Sequence, residues 1–155
     1  MSEGADIALS IAIFAVAFPA LWIFVTSMIA EIGGWNRVAR RFPDRESEPA
    51  NARFRFCSAQ LGSSLFGPSY NHILTFEVCD TGLRIKVWKL FGFLSKPIFL
   101  PWNAFRTEPF QWFIWSACRI IYGREKRDAV IIRRPLAEKI AMANGGVFGS
   151  PEQGR

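Results

Sequence analysis

A single histidine, His72, serves the whole chain of 155 residues, and there are only three cysteines. One histidine rules out any two-histidine metal motif and leaves a Ser, His and Asp arrangement without support. Cys57, Cys79 and Cys118 are odd in number and widely spaced, without the paired spacing of a disulfide framework or a zinc site. They read as reduced, mostly buried thiols. No glycine-rich loop precedes a helix in the phosphate-cradling manner, and Gly62 and Gly67 around SSLF are only a weak loop signal. Cys57 and His72 can be paired on paper as nucleophile and base, but structural thiols are far commoner. The expected inventory is therefore no catalytic residue, no cofactor, no metal and no small-molecule substrate.

Charge is also missing where it matters most. No Asp, Glu, Lys or Arg lies between Asp6 and Glu31, and no Lys or Arg at all precedes Arg37. Residues 7–30 are long enough, at about 1.5 Å per residue, to cross the roughly 30 Å hydrocarbon core of a bilayer. A cleaved signal peptide would want a basic leader and a core of about 7 to 15 residues. MSEGAD carries only acids. A buried core helix would want one polar face, whereas Ile11, Phe14, Val16, Phe18, Leu21, Trp22 and Val25 point all round. A transmembrane helix over 7–30 follows, with 1–6 as an extracytoplasmic leader. Pro19 is expected to bend it, with Thr26 and Ser27 available to the freed carbonyl.

Arg37, Arg40, Arg41 and Arg45 crowd the far end of that span, against Glu3 and Asp6 on the near side. Positive flanks stay inside, so the N-terminus is expected outside and the rest cytoplasmic, in a cell inner membrane. With Glu3 and Asp6 set apart, residues 31–155 hold nineteen basic and eleven acidic residues, a formal +8. Such a domain is drawn to an anionic leaflet. Nucleic acid would attract it too, but is not an expected partner without basic and aromatic residues interleaved on one exposed sheet face.

Residues 31–50 read as a juxtamembrane amphipathic segment and linker. In GWNRVARRFP, Arg37, Arg40 and Arg41 fall on one side of a helical period, and Trp35, Val38 and Phe42 on the other. Trp35, Arg37, Arg40, Arg41 and Phe42 are thus expected at the membrane interface, with Trp35 among the headgroups.

From Ala52 onward the period changes to two. ARFRFCSA puts Arg53 and Arg55 opposite Phe54 and Phe56, and HILTFEVCD aligns Leu74, Phe76 and Val78. DTG then turns into LRIKVWKL, where Leu83, Ile85 and Val87 alternate with Arg84, Lys86 and Trp88. KPIFLPW reads as an edge strand because of its prolines. Phe110–Tyr122 reads as an apolar strand turned back by Gly123–Lys126 into AVIIRR, and Pro135 opens a helix with Leu136, Ile140 and Ala143 on one side. Six or seven strands and a helix fit an α+β chain: one transmembrane helix, then a small, mainly antiparallel β barrel with a C-terminal helix over 51–147. A disordered tail is expected over 148–155.

The succession of one span, GWNRVARRFP, TGLRIKVWKLFG and PIFLPWNAF resembles a group of largely uncharacterised bacterial single-pass membrane proteins. These carry G-W-x-x-L-A-x-x-F/Y after the span and I-P-W-x-x-I later. Gly34, Trp35, Ala39 and Phe42 match the first motif, with Val38 in place of Leu; Leu100, Pro101, Trp102 and Phe105 match the second conservatively. The resemblance implies a pleckstrin-homology-like barrel and supplies no catalytic residue or ligand. Pleckstrin-homology domains that hold phosphoinositides use basic residues around the first strand and the loop after it. The corresponding loop here, SAQLGSSLFGPSYN, has none.

Six tryptophans and fifteen phenylalanines are many for a domain of this size to bury. Trp88, Phe91, Phe93, Trp112 and Trp115 cluster where strands turn and are the candidate partner contacts. Two functions fit: a non-enzymatic interaction module, an accessory or assembly subunit among other integral membrane proteins, or a module reading the lipid surface of the cytoplasmic leaflet.

Overall fold

The computed structural model describes residues 2–62, 67–125, 128–146 and 148. α1 (Ser2–Ile32) is followed by the short α2 (Trp35–Arg41), then by strands β1 (Ala50–Leu61), β2 (Ser69–Cys79), β3 (Gly82–Val87) and β4 (Ile98–Pro101). A 3-10 turn over Trp102–Ala104 leads to β5 (Arg106–Trp112), β6 (Trp115–Ile121), β7 (Ala129–Arg133) and α3 (Arg134–Ala143).

α1 is one helix long and apolar enough to cross a membrane. Large apolar side chains such as Ile7, Phe14, Val16, Leu21 and Phe24 are exposed around it, which suits a lipid surrounding rather than a protein core. The helix begins at Ser2, so residues 2–6 of the expected leader continue it as helix. Pro19 sits inside without ending it. The carbonyl freed by a proline belongs to the residue four before it, whereas the Thr26 hydroxyl donates to the Trp22 carbonyl at 2.9 Å and Ser27 to the Ile23 carbonyl at 2.6 Å. Those two hydroxyls therefore serve carbonyls other than the one expected.

The seven strands form one antiparallel sheet in the order β4-β3-β2-β1-β7-β6-β5. It is not closed into the expected barrel. Closure would need β4 to pair with β5, but β4 has four residues and its outer edge is already taken. The Phe99 amide donates to the Phe42 carbonyl at 3.1 Å, and Pro43 bridges Ile98. β5, with Pro109 and the charged Arg106 and Glu108, has the composition of an unpaired edge. α3 lays Ala137 and Ile140 on β6, β7 and β1, and Gly145 at φ 72 supplies the left-handed residue just past its end.

The juxtamembrane segment is part of this domain. Trp35 is 1% exposed, its ring tilted against Tyr70 at 5.3 Å and its indole N–H donating to the Lys96 carbonyl at 2.9 Å. Val38 and Ala39 are buried with it, and Phe42 packs on the same core and meets Tyr122 edge-on. The apolar face that sequence assigns to headgroups thus faces the sheet, because an apolar stripe next to an uncovered sheet edge is buried more completely there than at a bilayer interface. Arg37, Arg40 and Arg41 remain exposed on the other side.

Residues 44–51 are held down as well. Arg84, which alternates with Leu83 and Ile85 along β3, is 4% exposed because this segment covers it. Its guanidinium donates to Asp44 Oδ1 at 2.5 Å, to Glu77 Oε2 at 3.0 Å, and to the carbonyls of Arg45 and Glu48. Glu48 clasps Thr81 through both the amide and the hydroxyl, at 2.6 Å each. Gly82 has no room for a side chain: a Cβ there would lie 2.6 Å from both the Leu100 carbonyl and the Phe99 ring. Phe148, assigned by sequence to a disordered tail, is buried against Trp102 and Phe105. The rest of that tail lies outside the described residues.

Two outcomes are expected from this packing. Trp35→Ala should cost about 3–5 kcal/mol of stability, while Arg37→Ala, on the exposed side of the same helix, should stay within about 0.5 kcal/mol. Denaturant unfolding of the full chain in mild detergent reads both. Arg84→Ala should also cost about 3 kcal/mol, since it takes the cation from Asp44 and leaves the buried Glu77 carboxylate with only Arg53 and Lys86. Burial pushes the Glu77 carboxyl up, but hydrogen bonds from Arg84 and Lys86 and the charge of Arg53 outweigh it, holding the group below its ordinary 4.5. A carboxyl lowered in the folded state stabilises above its unfolded value and loses that contribution as pH falls through the folded one. Wild-type stability should therefore decline below pH 4.5, and a midpoint flat from pH 6 down through acid would contradict the network.

Candidate functional site

Two surfaces gather the exposed aromatic and basic side chains. The first is built on the outward face of β1, β2 and β3. A register shift between Phe54 and Cys57 breaks the β1–β2 ladder, and both Phe56 and His72 adopt left-handed backbone there, at φ 55 and 58. The bulge reverses the expected alternation, so Phe56 stands out of the sheet rather than joining Phe54 against the core. Phe56 meets Trp88 edge-on at 6.1 Å, Trp88 meets Phe91 at 5.6 Å, and Phe91 meets Trp22 of α1 at 5.8 Å. Alongside runs a shallow groove of about 540 Å³ lined by Arg53, Arg55, His72, Lys86 and Lys89. Arg53 and Lys86 are engaged by Glu77, at 2.8 and 3.0 Å. What this face offers is a chain of rings beside a basic strip.

The second surface is the β5–β6 turn. Sequence reads Phe110–Tyr122 as one strand, but the chain reverses at Phe113 and Ile114, with Trp112 opposite Trp115 in the pairing. Phe113 is 79% and Ile114 83% exposed, and Trp115 is exposed beside them. A cleft of about 280 Å³ lies at the foot of the turn, lined by Ser58, Asn71, Trp115, Ala117 and Ile132 among others. Of the candidate partner contacts, Trp88, Phe91 and Phe93 therefore belong to one surface and Trp115 to the other, while Trp112 is the last residue of β5. Phe91 is half-buried, whereas Trp88, Phe93 and Trp115 are exposed.

Sequence missed the exposure of Phe56 and Leu94 and the chain reversal at Phe113 and Ile114. A turn signal was absent, since neither Phe113 nor Ile114 is a turn-forming type. The bulge at Phe56 leaves no mark in a clean alternation.

Of the imagined nucleophile and base, the Cys57 thiol donates to the carbonyls of Phe54 at 3.4 Å and Arg55 at 3.6 Å. The His72 ring nitrogen Nδ1 lies 3.3 Å from the Phe56 carbonyl. Each is thus engaged by backbone. Burial pushes the Cys57 thiol above its ordinary value despite the charge of Lys139, and pushes Cys118 up to about 11. Among the described residues no cluster of His, Cys, Asp and Glu could hold a metal ion. Compared with known proteins, the chain matches no family model, no curated protein and no solved structure.

A maleimide titration checks the electrostatics of these thiols. Cys118 should carry about a hundredfold less thiolate than an ordinary cysteine near neutral pH, given a rise from 9.0 to about 11, and should react correspondingly slowly until the chain unfolds. Rapid native labelling of Cys118 would contradict the desolvation of this half-buried thiol.

Proposed function

We propose that this chain is a membrane-anchored, non-enzymatic interaction module, an accessory or assembly subunit of a larger membrane protein complex. In this reading α1 crosses a bacterial inner membrane with its N-terminus outside, and the sheet domain is cytoplasmic. The positive flank at Arg37, Arg40, Arg41 and Arg45 supports the orientation. Seven antiparallel strands followed by a packed helix support a pleckstrin-homology-like domain, opened between β4 and β5 rather than closed.

The observation that carries the reading is the Phe113–Ile114 turn. A two-residue hairpin reversal favours Gly, Asn or Asp, and a bulky residue at φ 49 is strained as well as exposed. Two large apolar side chains kept at such a position oppose folding locally, and contact with another protein offsets that cost. The exposed Trp115 adds the aromatic anchor common at interface centres.

The experiment is purification of the full chain in mild detergent from its native membrane, beside the variant Phe113→Gly, Ile114→Ser. Both substitutions suit the turn, so thermal stability should hold or rise. A stoichiometric companion should copurify with the wild type and be lost from the variant. A companion retained by the variant would move the contact elsewhere.

A second reading, a module that binds the lipid surface, is favoured by the exposed Arg37, Arg40 and Arg41 together with Arg55 and Lys89 on the groove. Purification without any companion, with vesicle affinity rising with anionic lipid and falling with salt, would favour it over the subunit reading.

A further inference from the structure

The connection between β3 and β4, residues 88–97, carries Trp88, Leu90, Phe93 and Leu94 as exposed apolar side chains, Phe93 at 72%. It does not extend away from the anchor but lies along it. The Trp22 indole N–H donates to the Leu90 carbonyl at 2.9 Å, and the Trp22 ring packs on Phe91. Between the two runs a furrow lined by Phe24, Ser27, Met28, Gly92, Phe93 and Leu94.

The position of Trp22 along α1 sets the depth of this loop. From Asp6 to Glu31 the helix rises about 37 Å at 1.5 Å per residue, against about 30 Å of hydrocarbon. With the surplus shared between the two ends, Trp22 lies about 10 Å inside the hydrocarbon edge nearer the domain. A loop bonded to Trp22 lies at that level too.

Backbone at such depth must have its polar groups satisfied internally. The loop does much of this itself. Phe91 N–H and Gly92 N–H both donate to the Trp88 carbonyl, at 2.9 and 3.1 Å, and Ser95 N–H donates to the Gly92 carbonyl at 3.0 Å. Trp88 N–H donates to the Ile73 carbonyl at 2.7 Å, and Trp22 takes up Leu90. Lys89 and Lys96 stand at either end, each with a long apolar stem that allows its ammonium to reach the headgroups.

We propose that the β3–β4 loop is a second membrane anchor, with Leu90, Phe93 and Leu94 entering the acyl chains of the leaflet on the domain's side. Its occupant is phospholipid hydrocarbon, because the loop continues the surface of α1 at hydrocarbon depth. The inference rests on α1 crossing the bilayer, and the test separates the two.

The full chain is prepared with Phe93→p-benzoylphenylalanine, and in parallel with the same photoreactive residue at Val16 of α1 and at the exposed Met142 of α3. Each is reconstituted in liposomes of phosphatidylcholine and phosphatidylglycerol, irradiated and analysed for lipid adducts by mass spectrometry. Position 93 is exposed, so the fold should tolerate the change. Expected are acyl-chain adducts at 16 and 93 and none at 142. Adducts at 16 without any at 93, or cross-links from 93 to a second copy, would overturn the inference while leaving the anchor intact. Absence of adducts at both 16 and 93 would overturn both.

Discussion

The burial of Trp35 is the contact on which the rest of the architecture depends. It lies three residues after α1 ends, yet its ring is inside the domain core and its indole holds the carbonyl of Lys96, at the start of the run into β4. Helix α1 and the sheet therefore share one core, joined by a turn with Gly34 at φ 77. Gly33 makes that turn tight: a Cβ there would meet the Ile29 carbonyl at 2.7 Å and the Tyr70 hydroxyl at 3.2 Å. From this joint follow the covered edge of β4, the open sheet and the alignment of the β3–β4 loop with α1.

Around the joint, polar groups do what apolar packing alone could not. The segment between α2 and β1 has little to bury, and Arg84 compensates by binding four of its own neighbours at once. A fully enclosed guanidinium is tolerated because Asp44 and Glu77 balance its charge and backbone carbonyls take its remaining donors. One arginine thereby specifies the path of a linker that hydrophobicity leaves undetermined.

Much of this was legible in the sequence. The charge-free run before Glu31, the alternation around Leu83 and Ile85, the prolines of β4 and the amphipathic α3 each correspond to an element of the structure. What escaped did so for identifiable reasons. The periodicity of GWNRVARRFP shows two faces but cannot say whether the apolar one meets lipid or a neighbouring sheet, so Trp35 and Phe42 were expected at headgroups. Alternation around Arg84 shows a second sheet face but not that another segment covers it. Phe113 and Ile114 turn the chain without any turn-forming residue, and barrel closure depends on which segment reaches the edge of β4 first. The exposed surfaces were legible only as a surplus of aromatics. Their division between the β3–β4 loop and the β5–β6 turn needed the three-dimensional arrangement.

The glycine pair after α1 has a geometric consequence. With Trp35 locked into the core and Ala30 already buried, no slack separates the helix from the domain. An α-helix turns about 100° per residue. A single residue inserted or removed near Ile32 would thus swing the whole sheet about a third of a revolution around the helix axis, carrying the Phe113–Ile114 turn to face a different direction about that axis. The length of α1 works as an angular index: it sets the compass bearing of the domain as well as its height.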